Sequence, residues 1–130
     1  MLMYITGLDH IVLTVKNIHA TIRFYSTVLG VKQVSFAENR QALQFGSQKI
    51  NLHQQGDELE PHAGQPTPGS ADLCFITDIP LQQVIDHIQS CGVTILAGPV
   101  QRTGATGVLQ SIYLRDPDDN LIEIANQESG

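Results

Sequence analysis

Three features predict an α+β architecture of two βαβββ modules, whose paired mixed sheets form a cleft. Strand-like runs and one helical run follow one another in the same order twice along the chain. The two passes superimpose at a constant offset that takes Gly30 to Gly92, Val31 to Val93, Ile22 to Val84 and Leu13 to Phe75. An offset that matches helix stop, helix face and strand together is the mark of an internal duplication. The third feature is the closing run Leu121 to Ala125. It follows a turn-forming stretch, Asp116, Pro117, Asp118, Asp119 and Asn120, and holds one carboxylate, Glu123, among apolar residues.

Leu8 to Val15 is rich in β-branched residues and predicts the first strand. Asn17 can cap the helix that follows. Ile18, Ile22, Tyr25 and Leu29 recur at helical spacing, and Gly30 stops it. Val31 to Phe36, Gln41 to Phe45 and Gln48 to His53 predict three short strands, separated by turns at Asn39-Arg40 and Gly46-Ser47. The first module therefore spans about 5–56. Residues 57–70 lack periodicity and form a linker or loop. The second module, about 71–127, opens with a strand from Ala71 to Thr77. Pro80 suits a first helical turn. Leu81, Val84, Ile85, Ile88 and Cys91 line one helical face, and Gly92 ends it. Val93 to Leu96, Leu109 to Leu114 and Leu121 to Ala125 are its remaining strands, with a Gly-rich insertion from Gly98 to Gly107.

The 130 residues suffice for one compact domain, and 42% hydrophobic with 15% charged is an ordinary globular balance. A net charge of -6 with only 7 Lys+Arg argues against nucleic-acid and anionic-membrane partners. There is no signal-peptide pattern and no apolar run of spanning length, so a soluble cytoplasmic protein is the expectation. Cys74 and Cys91 make no disulfide framework or metal motif and read as small core residues.

The repeat makes four polar places equivalent. His10 and Asp72 lie on the two opening strands; Asn51, with His53 two residues on, and Glu123 lie on the two closing strands. If the modules face each other across a pseudo-twofold axis, these places can converge in the cleft. Imidazole nitrogen and carboxylate oxygen suit a divalent ion. Each residue also has an ordinary structural reading. His10 can be an edge histidine, and Glu123 an ion-pair partner of Arg102 or Arg115. Asp72 can shape a turn, Asn51 can satisfy backbone groups, and His53 can be solvated at its strand end. His19, His62 and His87 are assigned no role.

The stretches Leu8-Asp-His10-Ile-Val-Leu-Thr-Val15, Phe24-Tyr25-Ser-Thr-Val-Leu29-Gly30 and Asp116-Pro-Asp118 with Leu121-Ile-Glu123 resemble the vicinal oxygen chelate superfamily. This superfamily includes glyoxalase I, fosfomycin resistance proteins, methylmalonyl-CoA epimerase and extradiol dioxygenases. Lys49-Ile-Asn-Leu-His53, Asp72-Leu-Cys74 and Arg102-Thr-Gly make the chain most similar to its small glyoxalase-domain members labelled dioxygenase-related or virulence-associated. The resemblance implies a glyoxalase-like fold, a homodimer, and a metal (Zn, Ni, Mn or Fe) held by His10 and Glu123. Asp72, His53 and Asn51 are the candidates for the remaining positions. Many members place His where this chain has Asp72, and Glu or Gln where it has Asn51.

Such a metal can hold two neighbouring oxygens of a small oxygen-rich substrate and stabilise an enolate while a base moves a proton, which is glyoxalase-like lyase or isomerase chemistry. His53 and Tyr113 are the catalytic candidates. Ser111 and Arg115 share a strand face with Tyr113 by the period of two. Arg102, in the Gly-rich insertion, is placed to close over a carboxylate or phosphate. Extradiol ring cleavage with Fe(II) is the alternative chemistry, and non-catalytic small-molecule binding or resistance is the alternative class.

Overall fold

The computed structural model describes residues 2–128. Its elements are β1 (His10–Val15), α1 (Ile18–Thr27), β2 (Lys32–Phe36), β3 (Arg40–Phe45), β4 (Gln48–Gln54), β5 (Asp72–Ile76), α2 (Leu81–Ser90), β6 (Ala97–Thr103), β7 (Val108–Arg115) and β8 (Leu121–Gln127). They build two four-stranded sheets, ordered β1-β4-β3-β2 and β5-β8-β7-β6. In each sheet the opening strand pairs parallel with the closing strand, and the other pairs are antiparallel. The α+β class and the doubled βαβββ order therefore hold.

Local chemistry sets the helix ends. The Asn17 side chain accepts from the Ala20 amide at 2.9 Å, a cap worth about 1 kcal/mol. α2 starts after Pro80, which has no amide hydrogen to leave unsatisfied. Gly92 directly follows the C-cap of α2 with φ +75°, and its repeat equivalent Gly30 turns the chain two residues past the C-cap of α1 with φ +67°.

Each helix packs on one face of its own sheet, and the two helix-bearing faces meet in a single core. Leu13, Val15, Tyr25, Leu43, Ile50 and Leu52 come from the first module; Ile88, Ile112, Leu114, Ile122 and Ile124 come from the second. Phe75 joins the modules, its ring lying 5.2 Å from that of Phe45 and 6.4 Å from that of Tyr25. The His87 ring adds polar contacts, with Nε2 3.0 Å from the Val28 carbonyl and 3.2 Å from that of Thr27. The Tyr25 hydroxyl crosses the seam and donates to Asp116 Oδ2 at 2.7 Å.

One element differs from its expectation. Val93 to Leu96 is not a strand; β6 starts at Ala97 and runs through the supposed insertion to Thr103. Val93 and Ile95 spend their apolar side chains on the core, outside any ladder. Gly98 then lets β6 press onto β7. Its φ is +105°, and a Cβ there would sit 2.4 Å from the Ser111 carbonyl oxygen. The register shifts between Ala97 and Val100, a bulge that the repeat offset does not contain. Gly104 and Gly107 close the hairpin, the Gly104 amide donating to the Gly107 carbonyl at 2.7 Å. No helix among the described residues is long and apolar enough to cross a membrane.

Candidate functional site

Packing through the helix-bearing faces leaves the opposite face of each sheet turned outward. Pleat parity decides which residues stand there. On the first sheet, β1 pairs His10 with Lys49, Val12 with Asn51 and Thr14 with His53. On the second sheet, Cys74 is opposite Glu123, Tyr113 is opposite Glu123, Ser111 is opposite Ala125, and Arg115 and Asp72 are both opposite Leu121. All the candidate residues therefore stand on outward faces: His10, Asn51 and His53 on one sheet, and Asp72, Glu123, Ser111, Tyr113, Arg115 and Arg102 on the other.

They are not gathered into one cluster. No group of three or more His, Cys, Asp or Glu among the described residues is placed to hold a metal ion. His10 is exposed, with Nδ1 2.9 Å from Asp9 Oδ2. It lines a cavity of about 180 Å³ together with Cys74, and Cys74 also lines the cavity that holds Glu123. Glu123 has no arginine partner: among the described residues the ion pairs are His10–Asp9 and His62–Glu60. Asp72 opens β5 and is exposed.

Several residues sit in surroundings other than those expected. Cys74 is exposed on the outward face and is not a core residue, because it shares the phase of Asp72. Its thiol is pushed up to about 11, by desolvation first and then by the Glu123 carboxylate, so it stays protonated at neutral pH. Arg102 lies on strand β6 opposite Leu109, not in a loop. Its Nε donates to the Tyr113 hydroxyl at 2.9 Å. Arg115 donates to the Asp119 carbonyl at 3.2 Å, which ties it to the turn.

His53 is 5% exposed and not solvated. The linker covers it: His53, Pro61, His62, Thr67 and Ser70 line one cavity of about 590 Å³. Both His53 ring nitrogens, Asn51 Oδ1 and Ser111 Oγ are buried without a hydrogen-bond partner among the described residues. Unpaired buried polar atoms are costly, so these positions are where a bound polar ligand or water has most to gain.

Burial, and then the positive charges of Arg40 and His62, hold the His53 imidazole below its ordinary value of 6.5. The neutral form is therefore favoured in the fold, and the unfolded chain binds the proton more readily. The stability this contributes is complete above the unfolded value and is lost as pH falls below it toward the folded one. Urea midpoints measured from about pH 7.5 down to about 5 should fall more steeply for wild type than for His53→Gln. Parallel curves would count against a buried neutral imidazole.

Three residues with no role expected from the sequence share the first outward face. The Lys49 Nζ lies 3.6 Å from the centre of the Phe36 ring, and the Arg40 guanidinium carbon lies 4.8 Å from it. Lys49 has the same strand phase as Asn51 and His53, which is the sequence signal that could have placed it there.

Two mixed sheets from a duplicated βαβββ order, with His, Asp and Glu on their outward faces, define a glyoxalase-type domain. The chain belongs to the Glyoxalase/Bleomycin resistance protein/Dioxygenase superfamily, whose family model matches residues 7–124. It is similar to virulence protein STM3117 of Salmonella typhimurium, 61% identical over 123 residues, covering 95% of this chain and 85% of that protein. The crystal structure of that protein superimposes with a TM-score of 0.95 over 97% of this chain and 100% of that chain. Glyoxalase domain-containing protein RDO1 of Mycosarcoma maydis is 50% identical over 124 residues, 95% of this chain and 70% of that protein. The integron cassette protein VCH_CASS1 of V. Cholerae is 56% identical, with a TM-score of 0.96 over 98% of this chain and all of that one.

Proposed function

We propose that this chain is a metal-dependent enzyme of the superfamily, acting on a small oxygen-rich molecule. It works as a homodimer in which the outward face of one module meets that of the partner's other module. The observation that carries this reading is the division of the donor set. His10, Asp72 and Glu123 fit a divalent ion by chemistry and all face outward, yet no three donors converge within one chain among the described residues. A second copy is what can complete the set. The segment before β1 points the same way: Leu2, Met3, Tyr4, Ile5 and Leu8 are 70–95% exposed, an apolar surface suited to burial against another chain.

His10, Glu123 and Asp72 would hold the ion, with His53 or Asn51 nearest the remaining position. A bound divalent ion supplies Lewis acidity toward two neighbouring substrate oxygens. The chain supplies the rest of the chemistry. His53, kept neutral by burial and by Arg40, is available to take a proton and return it, as lyase or isomerase chemistry requires. The Tyr113 hydroxyl, oriented by Arg102, can donate to a developing negative oxygen. Ser111 offers a buried hydroxyl two residues from Tyr113, on the same face of β7.

Elemental analysis of protein purified without chelators or metal-affinity resin, followed by a substrate screen with the bound metal, tests the enzyme reading. The division of donors also favours a second reading, a small-molecule binding protein without turnover. That reading replaces the first if the dimer takes up no divalent ion at millimolar supply. For assembly, light scattering at micromolar concentration should give twice the chain mass, and Tyr4→Glu with Ile5→Glu should shift the protein toward monomer. A monomeric wild type contradicts the shared site.

A further inference from the structure

The chain has net charge -6, yet five of its seven Lys and Arg residues lie on the two outward sheet faces. Arg102 and Arg115 are on the second sheet, where protein oxygens already accept from both. Lys32, Arg40 and Lys49 are on the first, and their surroundings differ. Lys49 sits four residues before His53 on β4, whereas Phe36 is in the row of Arg40 at the other end of the sheet. The Lys49 Nζ nonetheless lies 3.6 Å from the centre of the Phe36 ring, so its side chain reaches across β3 along the face. Arg40 approaches the same ring at 4.8 Å.

An aromatic ring holds a cation without taking its hydrogen-bond donors or neutralising its charge. Among the described residues neither Arg40 nor Lys49 has a carboxylate partner, although Glu38 stands in the adjoining turn. Both side chains are half-buried, so their fields are screened less than those of exposed lysines. Two like charges gathered at one ring oppose each other, and an anion between them relieves that repulsion. Asn51 Oδ1 and the His53 nitrogens, buried and unpartnered, lie on the same face.

We propose that Phe36, Arg40 and Lys49 form an anion-binding platform that grips the carboxylate or phosphate of a small ligand and sets it beside Asn51 and His53. Arg40 and Lys49 bind the anion, and Phe36 is a positioning residue that holds the two cations with their donors free. The proposal rests on the reading that this outward face lines the ligand site. It extends that reading by giving the ligand class, a small anion.

The test uses the metal-free dimer, so that it does not depend on metal uptake. Inorganic phosphate, benzoate and neutral benzamide are titrated separately by calorimetry and by amide chemical shifts. Phosphate against benzoate decides which anionic group the platform prefers. At least one anion should bind, with shifts centred on Phe36, Arg40 and Lys49, while benzamide should not. Arg40→Gln and Lys49→Gln should each weaken binding about tenfold, the size of one charge-assisted hydrogen bond. Arg23→Gln, on α1, should leave it unchanged. Phe36→Leu should weaken anion binding without shifting the unfolding midpoint, and Phe36→Tyr should restore it. The proposal is overturned if neither anion binds wild type, if benzamide binds equally, or if the Arg40 and Lys49 variants bind as wild type does. A wild type that loads metal but ignores both anions removes the platform and leaves the enzyme reading in place. Anion binding through Arg40 and Lys49 without metal uptake does the reverse.

Discussion

Glu123→Gln is expected to lower divalent-ion affinity by more than about 100-fold, because an outer partner of a ligand is alone worth about 10–100-fold and this change removes the anionic donor itself. Gln keeps the size and one oxygen of the side chain, so packing on β8 is undisturbed. The structural alternative for this residue was an ion pair with arginine, and among the described residues Glu123 has none. The unfolding midpoint of the metal-free variant should therefore match that of metal-free wild type. Metal stoichiometry and midpoint measured on the same samples separate the two roles. A variant that binds metal as wild type does removes Glu123 from the ligand set. A variant that loses stability before any metal is added makes Glu123 structural.

Asp116→Ala should be the most destabilising single change at the seam between the modules, by about 4 kcal/mol, since each buried group left without its partner costs about 1–3 kcal/mol. Asp116 Oδ1 accepts from the Asp118 amide at 2.8 Å and the Asn120 amide at 3.0 Å. Its Oδ2 accepts from Asn120 Nδ2 at 2.8 Å and from the Tyr25 hydroxyl at 2.7 Å. Alanine orphans all four donors at once. Tyr25→Phe removes only the crossing donor and should cost about 1–2 kcal/mol. Burial and the Asp116 charge raise the Tyr25 hydroxyl far above the ordinary phenol range, so it remains a donor throughout the working pH range. Chemical denaturation of both variants checks the order; an Asp116→Ala loss no larger than that of Tyr25→Phe would contradict it.

The turn around Asp116 was legible in the sequence because its chemistry is local: Pro117 and the Asx side chains specify a reversal whatever lies around them. The faces of β4 and β8 were legible for a similar reason, since period two fixes which residues stand together. The repeat made His10, Asp72 and Glu123 equivalent and led to the expectation that they converge in one cleft, whereas the modules pack through their helix-bearing faces and leave the three on the outward faces of two sheets. What parity could not supply was the far side of each face. Burial of His53 depends on the linker folding back over it through Pro61 and His62, a contact between aperiodic residues. Arg40, Lys49 and Phe36 meet across three strands, and no spacing along one strand announces that meeting. The repeat itself misled at Val93 to Leu96. The first module's third element follows its helix directly, whereas the second module spends those residues on the core before β6 begins.

That departure at β6 has a consequence for how copies of this chain can meet. β6 borders its sheet, and a bordering strand ordinarily offers a row of free amides and carbonyls to any passing strand. Here Pro99 has no amide hydrogen to offer, and the irregularity between Ala97 and Val100 breaks the even spacing that a ladder needs. The rim is thereby blunted against edge-wise sheet extension and the fibrous aggregation it invites. The broad outward faces carry no such guard, so they stay open to flat contact while the β6 edge resists polymerising.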